Sequence, residues 1–79
     1  MKIVIYGTPF HESYEITFQQ IINTLESKKI KLIFYKDFYL FSRLKKINFE
    51  NKIECFENYE TLKKINNISF FLSVGGDGT

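Results

Sequence analysis

Three short apolar runs, separated by stretches of helical periodicity, constrain the fold of this chain most strongly. The runs are KIVIY at 2–6, KLIFYK at 31–36 and ISFFLSV at 68–74. They are continuous apolar blocks rather than clean alternations of apolar and polar residues. Such blocks are typical of parallel strands that are buried on both faces. We therefore predict three buried parallel strands, of which the last is the most apolar.

The intervals between these runs carry helical patterns. From Ser13 onward, apolar residues recur at spacings of three and four: Tyr14, Phe18, Ile21, Ile22 and Leu25. Gln19, Gln20, Asn23 and Glu26 lie on the opposite face of this predicted helix. Apolar residues at intervals of three predict a second helix: Phe38, Phe41, Leu44 and Ile47. Asp37 is its predicted N-cap. IECF at 53–56 predicts a short strand, and NYETLKKI at 58–65 a short helix capped by Asn58. This alternation predicts an open, Rossmann-like α/β parallel sheet.

Length and charge exclude several classes of protein. A chain of 79 residues is one domain at most, and 44% hydrophobic with 25% charged residues favours a globular chain over disorder. The net charge of +2 is too small to indicate a nucleic-acid or anionic-membrane partner. We interpret the KK pairs at 28–29, 45–46 and 63–64 as solvated residues that complement helix dipoles. No run approaches the about 20 apolar residues of a membrane span, and the N-terminus is a poor signal peptide, so we predict a cytoplasmic location.

The single cysteine, Cys55, allows no internal disulfide. One cysteine and one histidine, His11, cannot make a structural zinc site. Because His11 is distant in sequence, we interpret Cys55 as a small, half-buried apolar residue rather than a nucleophile.

The residues GGDGT, from Gly75 to Thr79, follow the last apolar run directly. Ligands of open α/β sheets bind outside the carboxyl ends of the strands, where glycines let the backbone approach a phosphate or ribose. A carboxylate at Asp77 would repel a phosphate, but it suits a hydroxyl whose proton it accepts during phosphoryl transfer. The alternative is a glycine-rich turn in which Asp77 caps a helix. The residues alone leave both interpretations open.

GGDGT at the end of an apolar strand is similar to the signature shared by NAD kinases, diacylglycerol and sphingosine kinases, and 6-phosphofructokinases. The remaining chain resembles the N-terminal part of a bacterial NAD kinase, with KIVIYG at its start, a helix through FQQIINTLESKKIKLIFYK, and FFLSVGGDGT at the spacing of that family. The loop GTPFHES lacks the Asn-Pro and Ser/Gly-rich loop of a diacylglycerol kinase. The glycine-rich ATP loop of a phosphofructokinase is also not seen. The resemblance implies a sheet of the phosphofructokinase-like type.

The resemblance implies ATP-dependent phosphorylation of the adenosine-ribose 2′-hydroxyl of NAD to give NADP. Asp77 is then the implied general base, and the implied ligand-binding residues are Gly75, Gly76, Asp77, Gly78 and Thr79. The implied ligands are NAD as substrate and ATP with a divalent metal, of which Mg²⁺ is the first choice. The resemblance also implies that the parent enzyme is a homo-oligomer. At the end of the first strand, Gly7 fits a plain turn better than a ligand contact, and Tyr6 and His11 are weaker candidates still.

Members of this family continue beyond the motif with a helix, an Asn-Glu motif and a second, β-rich domain. We therefore expect residues 1–79 to be a truncated N-terminal α/β nucleotide-binding domain, inactive by itself. Incomplete cover of ISFFLSV predicts self-association. The alternatives are a fragment of a lipid kinase and a non-catalytic nucleotide-binding module.

Overall fold

The computed structural model describes residues 1–75, which form an α/β fold around a parallel sheet. Within this range the sheet has four strands: β1 (Lys2–Gly7), β2 (Lys31–Tyr35), β3 (Glu54–Phe56) and β4 (Ile68–Val74). Every pairing is parallel, and the strand order is β3-β2-β1-β4. The predicted α/β class, the parallel sheet and the short strand at 53–56 are confirmed.

Three α-helices connect these strands: α1 (Glu15–Ser27), α2 (Lys36–Leu44) and α3 (Tyr59–Lys63), with a 3-10 turn at Glu12–Tyr14 before α1. The predicted cap of α3 is confirmed, because the Asn58 side chain accepts a hydrogen bond of 2.9 Å from the backbone N–H of Thr61.

The predicted N-cap of α2 is wrong. The helix begins directly after β2, with Tyr35 at the N-cap position in an extended conformation and without a side-chain hydrogen bond. Asp37 lies inside the first turn instead. A carboxylate at that place still favours the helix, because it faces the positive end of the helix dipole.

Helices α1 and α2 cover one face of the sheet, and the larger part of the core lies between these helices and that face. The rings of Phe34 and Phe38 stack there with centroids 5.9 Å apart. The buried residues of this layer come from two strands, both helices and the segment after α2: Ile3, Ile5, Phe18, Ile22, Leu32, Phe34, Phe38 and Ile47. On the opposite face a smaller layer packs under α3, comprising Val4, Ile33 and Phe56 with Leu62, Ile65 and Ile68 against them. The predicted burial of β1 and β2 on both faces is therefore confirmed.

The last strand, β4, differs from this pattern. It lies at the edge of the sheet, and Phe70 and Phe71 expose 59% and 67% of their surface. Within the described residues β4 is therefore covered only in part, in agreement with the incomplete cover expected for ISFFLSV. The reason is its position, since the core clusters of both layers are centred on β1 and β2.

A buried carboxylate organises the connection between α2 and β3. Glu26 accepts hydrogen bonds from the backbone N–H of Glu50, at 3.1 and 3.0 Å, and of Asn51, at 3.1 Å. The sequence pattern placed Glu26 on the polar face of α1, yet it is buried because this connection crosses over it. Backbone donors that leave water need such an acceptor.

Two of the lysine pairs terminate helices in a defined way. Lys29 after α1 and Lys46 after α2 adopt positive φ angles of 60° and 63°. In each case the next residue's N–H bonds back to the helix, Ile30 to Leu25 at 3.3 Å and Ile47 to Ser42 at 3.0 Å. These are the hydrogen bonds of a Schellman motif, in which glycine is the usual residue at the left-handed position.

Replacing either left-handed lysine by glycine should therefore stabilise the fold. Lys29→Gly and Lys46→Gly should each raise the free energy of unfolding by about 1 kcal/mol, because glycine adopts positive φ without a Cβ penalty. Lys28→Gly is the matched control: Lys28 has a φ of −92°, so that substitution should destabilise the fold through chain entropy. Urea denaturation measures all three, and equal losses at positions 28 and 29 would contradict the assignment.

Candidate functional site

The carboxyl ends of β1 and β4 meet at one edge of the sheet. Gly7 is the register partner of Val74, and the backbone N–H of Thr8 donates to the carbonyl of Val74 at 3.2 Å. From β1 the chain proceeds outward to β2 and β3, and it then returns to the other side of β1 as β4. In open α/β sheets, ligands bind in the crevice outside the carboxyl ends at such a reversal of strand order. The fold thus places the start of the GGDGT motif at this position.

Gly75, the first residue of the motif, has a conformation that requires glycine. Its φ is +83°, and a Cβ added there would lie 2.8 Å from the carbonyl oxygen of Thr8. Both features exclude an ordinary side chain. The backbone at Gly75 therefore passes directly over the residue that follows β1. The other predicted site residues lie outside the described residues: Gly76, Asp77, Gly78 and Thr79.

Gly7, at the end of β1, has a different role from the turn that the sequence indicated. It is a buried strand residue, and a Cβ there would lie 2.7 Å from both the Phe38 ring and the carbonyl oxygen of Val74. The absence of a side chain thus allows α2 and β4 to approach β1 at the same point. Gly7 serves packing beneath the site rather than contact with a ligand.

A cleft of about 590 Å³ opens beside Gly75, between the N-terminal part of α1 and β4. Its volume is within the range of small-molecule sites. The lining is mainly apolar and includes no Asp, Glu, Lys or Arg: Pro9, Phe10, His11, Tyr14, Thr17, Phe18, Ile21, Leu72, Ser73, Val74 and Gly75.

His11 lies in the wall of this cleft, and its ring is held by the backbone. Its Nδ1 accepts a hydrogen bond of 3.0 Å from the N–H of Ser13, so that the neutral ring carries its proton on Nε2. The other weak candidate, Tyr6, lies outside the cleft, where its ring packs 5.0 Å from that of Tyr35.

The ends of β2 and β3 bring further polar groups to the same edge of the sheet. Lys36 Nζ donates to Glu57 at 3.0 Å, and this hydrogen bond raises the pKa of the lysine. The negative charge of Asp37 raises the pKa of the Tyr35 phenol, whose hydroxyl lies 3.4 Å from that carboxylate. Sequence reasoning missed both pairs. Lys36 and Glu57 are 21 residues apart, but a signal was available, since Lys36 is the last residue of one predicted strand and Glu57 directly follows another.

Cys55 is half-buried on β3, as expected, and burial raises the pKa of its thiol. A raised thiol pKa lowers the fraction of reactive thiolate, which agrees with the packing role predicted for this residue. Among residues 1–75, no group of three or more His, Cys, Asp or Glu side chains could hold a metal ion. No helix in the described part of the chain has the length and apolar character needed to cross a membrane.

No protein-family model, curated protein or solved structure matches this chain. The resemblance to NAD kinases therefore stays a prediction that depends on the residues quoted for it.

The left-handed conformation of Gly75 can be tested by adding one methyl group. Gly75→Ala should lower the free energy of unfolding by about 1–2 kcal/mol, because alanine disfavours the left-handed φ and its Cβ meets the Thr8 carbonyl. Ser73→Ala, at an exposed position of β4 two residues earlier, is the control and should change stability by less than about 0.5 kcal/mol. Chemical denaturation of both variants measures the difference. Equal stability of Gly75→Ala and the parent would contradict the left-handed conformation.

Proposed function

We propose that residues 1–79 form the N-terminal, nucleotide-binding part of an NAD kinase with a sheet of the phosphofructokinase-like type. One observation carries the proposal: β4, which leads into GGDGT, ends beside β1 where the strand order reverses. Dinucleotide sites of open α/β sheets lie at that point of the topology. The positive φ of Gly75 supports it further, because the motif starts with a residue that only glycine fits.

In the proposed reaction, Asp77 accepts the proton of the 2′-hydroxyl on the adenosine ribose of NAD. The ribose oxygen bonds to the γ-phosphorus of ATP as the bond to the β–γ bridging oxygen breaks, and NADP and ADP result. An ordinary aspartate has a pKa of about 4, so Asp77 orients the hydroxyl and receives the proton late. Backbone N–H groups of the glycines suit the phosphates, and Mg²⁺ bound with ATP neutralises their charge.

A chimera tests the role of Asp77. Residues 1–79 replace the corresponding segment of a bacterial NAD kinase, and NADP formation is followed with NAD, ATP and Mg²⁺. Asp77→Asn should lower kcat at least about a hundredfold, because the amide keeps the shape but cannot accept the proton. Its affinity for NAD should be nearly unchanged.

Glu60→Gln is the matched control for this substitution, since Glu60 is an exposed carboxylate in the first turn of α3. It should leave kcat unchanged. Full activity of the Asp77→Asn chimera would refute the assigned base. An inactive parent chimera that folds and still binds NAD would count against the proposed function as a whole.

Residues 1–79 by themselves should form no NADP, because the family's Asn-Glu motif and β-rich domain are not among them. The purified polypeptide is assayed with NAD, ATP and Mg²⁺ beside an intact NAD kinase as the positive control. Measurable NADP formation would overturn this expectation. Cooperative thermal unfolding whose midpoint rises with added NAD would favour the non-catalytic nucleotide-binding module instead.

A further inference from the structure

All three helices end at the amino edge of the sheet, opposite the candidate site. Because each helix connects parallel strands, it begins near the carboxyl end of one strand and ends near the start of the next. The lysine pairs at 28–29, 45–46 and 63–64 lie at these helix ends. Each pair by itself complements a helix dipole, but the topology brings all three pairs to one side of the molecule.

Charges are segregated between the two edges of the sheet. Nine of the eleven Lys and Arg residues lie at the amino edge: Lys2, Lys28, Lys29, Lys31, Arg43, Lys45, Lys46, Lys52 and Lys64. Three acidic residues share this edge, Glu26, Glu50 and Glu54, which leaves an excess of six positive charges there. The other acidic residues among 1–75 lie near the carboxyl edge: Glu12, Glu15, Asp37, Glu57 and Glu60. The net charge of +2 thus averages over two edges of opposite sign.

The cations of the amino edge are largely uncompensated. Within residues 1–75, Lys31 is the one member of this set that forms an ion pair, with Glu54 at 3.1 Å. Glu26 is already engaged by the backbone N–H groups of Glu50 and Asn51. A positive potential therefore extends from this edge into the solvent.

An apolar side chain is exposed among these cations. Leu44, the last residue of α2, exposes 81% of its surface and lies between Arg43 and Lys45 in the chain. The amino edge thus combines a cluster of ammonium groups with an exposed apolar side chain.

Two features of this surface favour an anionic membrane over nucleic acid as its partner. Eight of the nine cations are lysines, which are compact, strongly hydrated charges, whereas nucleic-acid recognition favours the planar fork of arginine. A lipid interface also accepts an apolar side chain such as Leu44, and a phosphate backbone has no apolar place for it. Clusters of about four to eight Lys and Arg residues are typical of attachment to anionic lipids, and this edge reaches that size.

We propose that the amino edge of the sheet is a docking surface for an anionic lipid membrane. The lysine ammonium groups bind the lipid phosphates, and Leu44 inserts at the boundary between the headgroups and the acyl chains. The attachment is mainly electrostatic, so it is reversible and weakens as salt screens the charges. Gly75, the last described residue, lies at the opposite edge, so the proposal depends on none of the residues beyond it.

Docking through the amino edge sets the orientation of the molecule. The strands then stand along the membrane normal, and the candidate site at their carboxyl ends faces the water, about 20 Å from the lipid. Soluble ligands reach the site without contact with the membrane.

Flotation of vesicles in a density gradient tests the docking, because bound protein floats whereas aggregated protein sediments. Residues 1–79 are mixed with vesicles of phosphatidylcholine, either pure or with about one third phosphatidylglycerol. The chain should float with the anionic vesicles and not with the neutral ones, and about 0.5 M salt should release it.

Charge reversal at each edge separates the local charge from the net charge. Lys28→Glu, at the end of α1, should lower the partition coefficient about twentyfold, since each lysine near an anionic surface contributes about fivefold and reversal counts twice. Lys36→Glu is the matched control, because it changes the net charge equally at the carboxyl edge, and it should alter the partition coefficient by less than about twofold. Lys64→Glu, at the end of α3, is a second variant of the amino edge and should resemble Lys28→Glu.

The inserted side chain is tested on α2. Leu44→Ala should lower the partition coefficient about fivefold, because apolar surface that enters the lipid is lost. Leu40→Ala is the matched control, since Leu40 is 49% exposed one turn earlier on the same helix, and it should leave the partition coefficient unchanged.

Absence of flotation with the anionic vesicles would overturn the proposal. Equal losses for Lys28→Glu and Lys36→Glu would also overturn it, because the net charge rather than the amino edge would then govern the attachment. Tighter binding to a short DNA duplex than to anionic vesicles at the same salt would identify nucleic acid as the partner instead. Unchanged partitioning of Leu44→Ala would refute the insertion of that side chain.

Discussion

The close packing of Phe38 against Gly7 is the contact on which the carboxyl edge of this sheet depends. The space above Gly7 admits both the ring of Phe38 and the carbonyl of Val74, each at a distance that no side chain on residue 7 would permit. This contact fixes α2 to the end of β1, and it also sets how near β4 comes. The position of Gly75, and with it the proposed site, follows from that approach.

The sequence predicts the regular elements well because their signals are local. Continuous apolar runs identified β1, β2 and β4, and the Asn58 cap identified the start of α3. The errors concern relations between elements. Asp37 has the chemistry of an N-cap, but no loop separates β2 from α2, so that place is taken by Tyr35. Glu26 appears polar and exposed in the helical pattern, yet the later connection at Glu50 and Asn51 buries it.

The candidate site is predictable to a similar extent. The motif and its position after a strand can be read from the sequence. Its placement at a reversal of strand order cannot, because this depends on which side of β1 the fourth strand lies. The same missing knowledge concerns β4, whose apolar sequence indicates a strand suited to cover on both faces, whereas the described residues cover it only in part. Gly7 was ambiguous for another reason, since its neighbour Phe38 is 31 positions away in the chain.

The direct junction of β2 and α2 has a consequence for how this chain can vary. Lys36 begins the helix immediately after Tyr35 ends the strand. One inserted residue would rotate the helix by about 100° relative to the sheet. Phe38 and Ser42, which share its buried side, would then turn away from the core. The length of the chain at this junction is thus fixed more strictly than its composition.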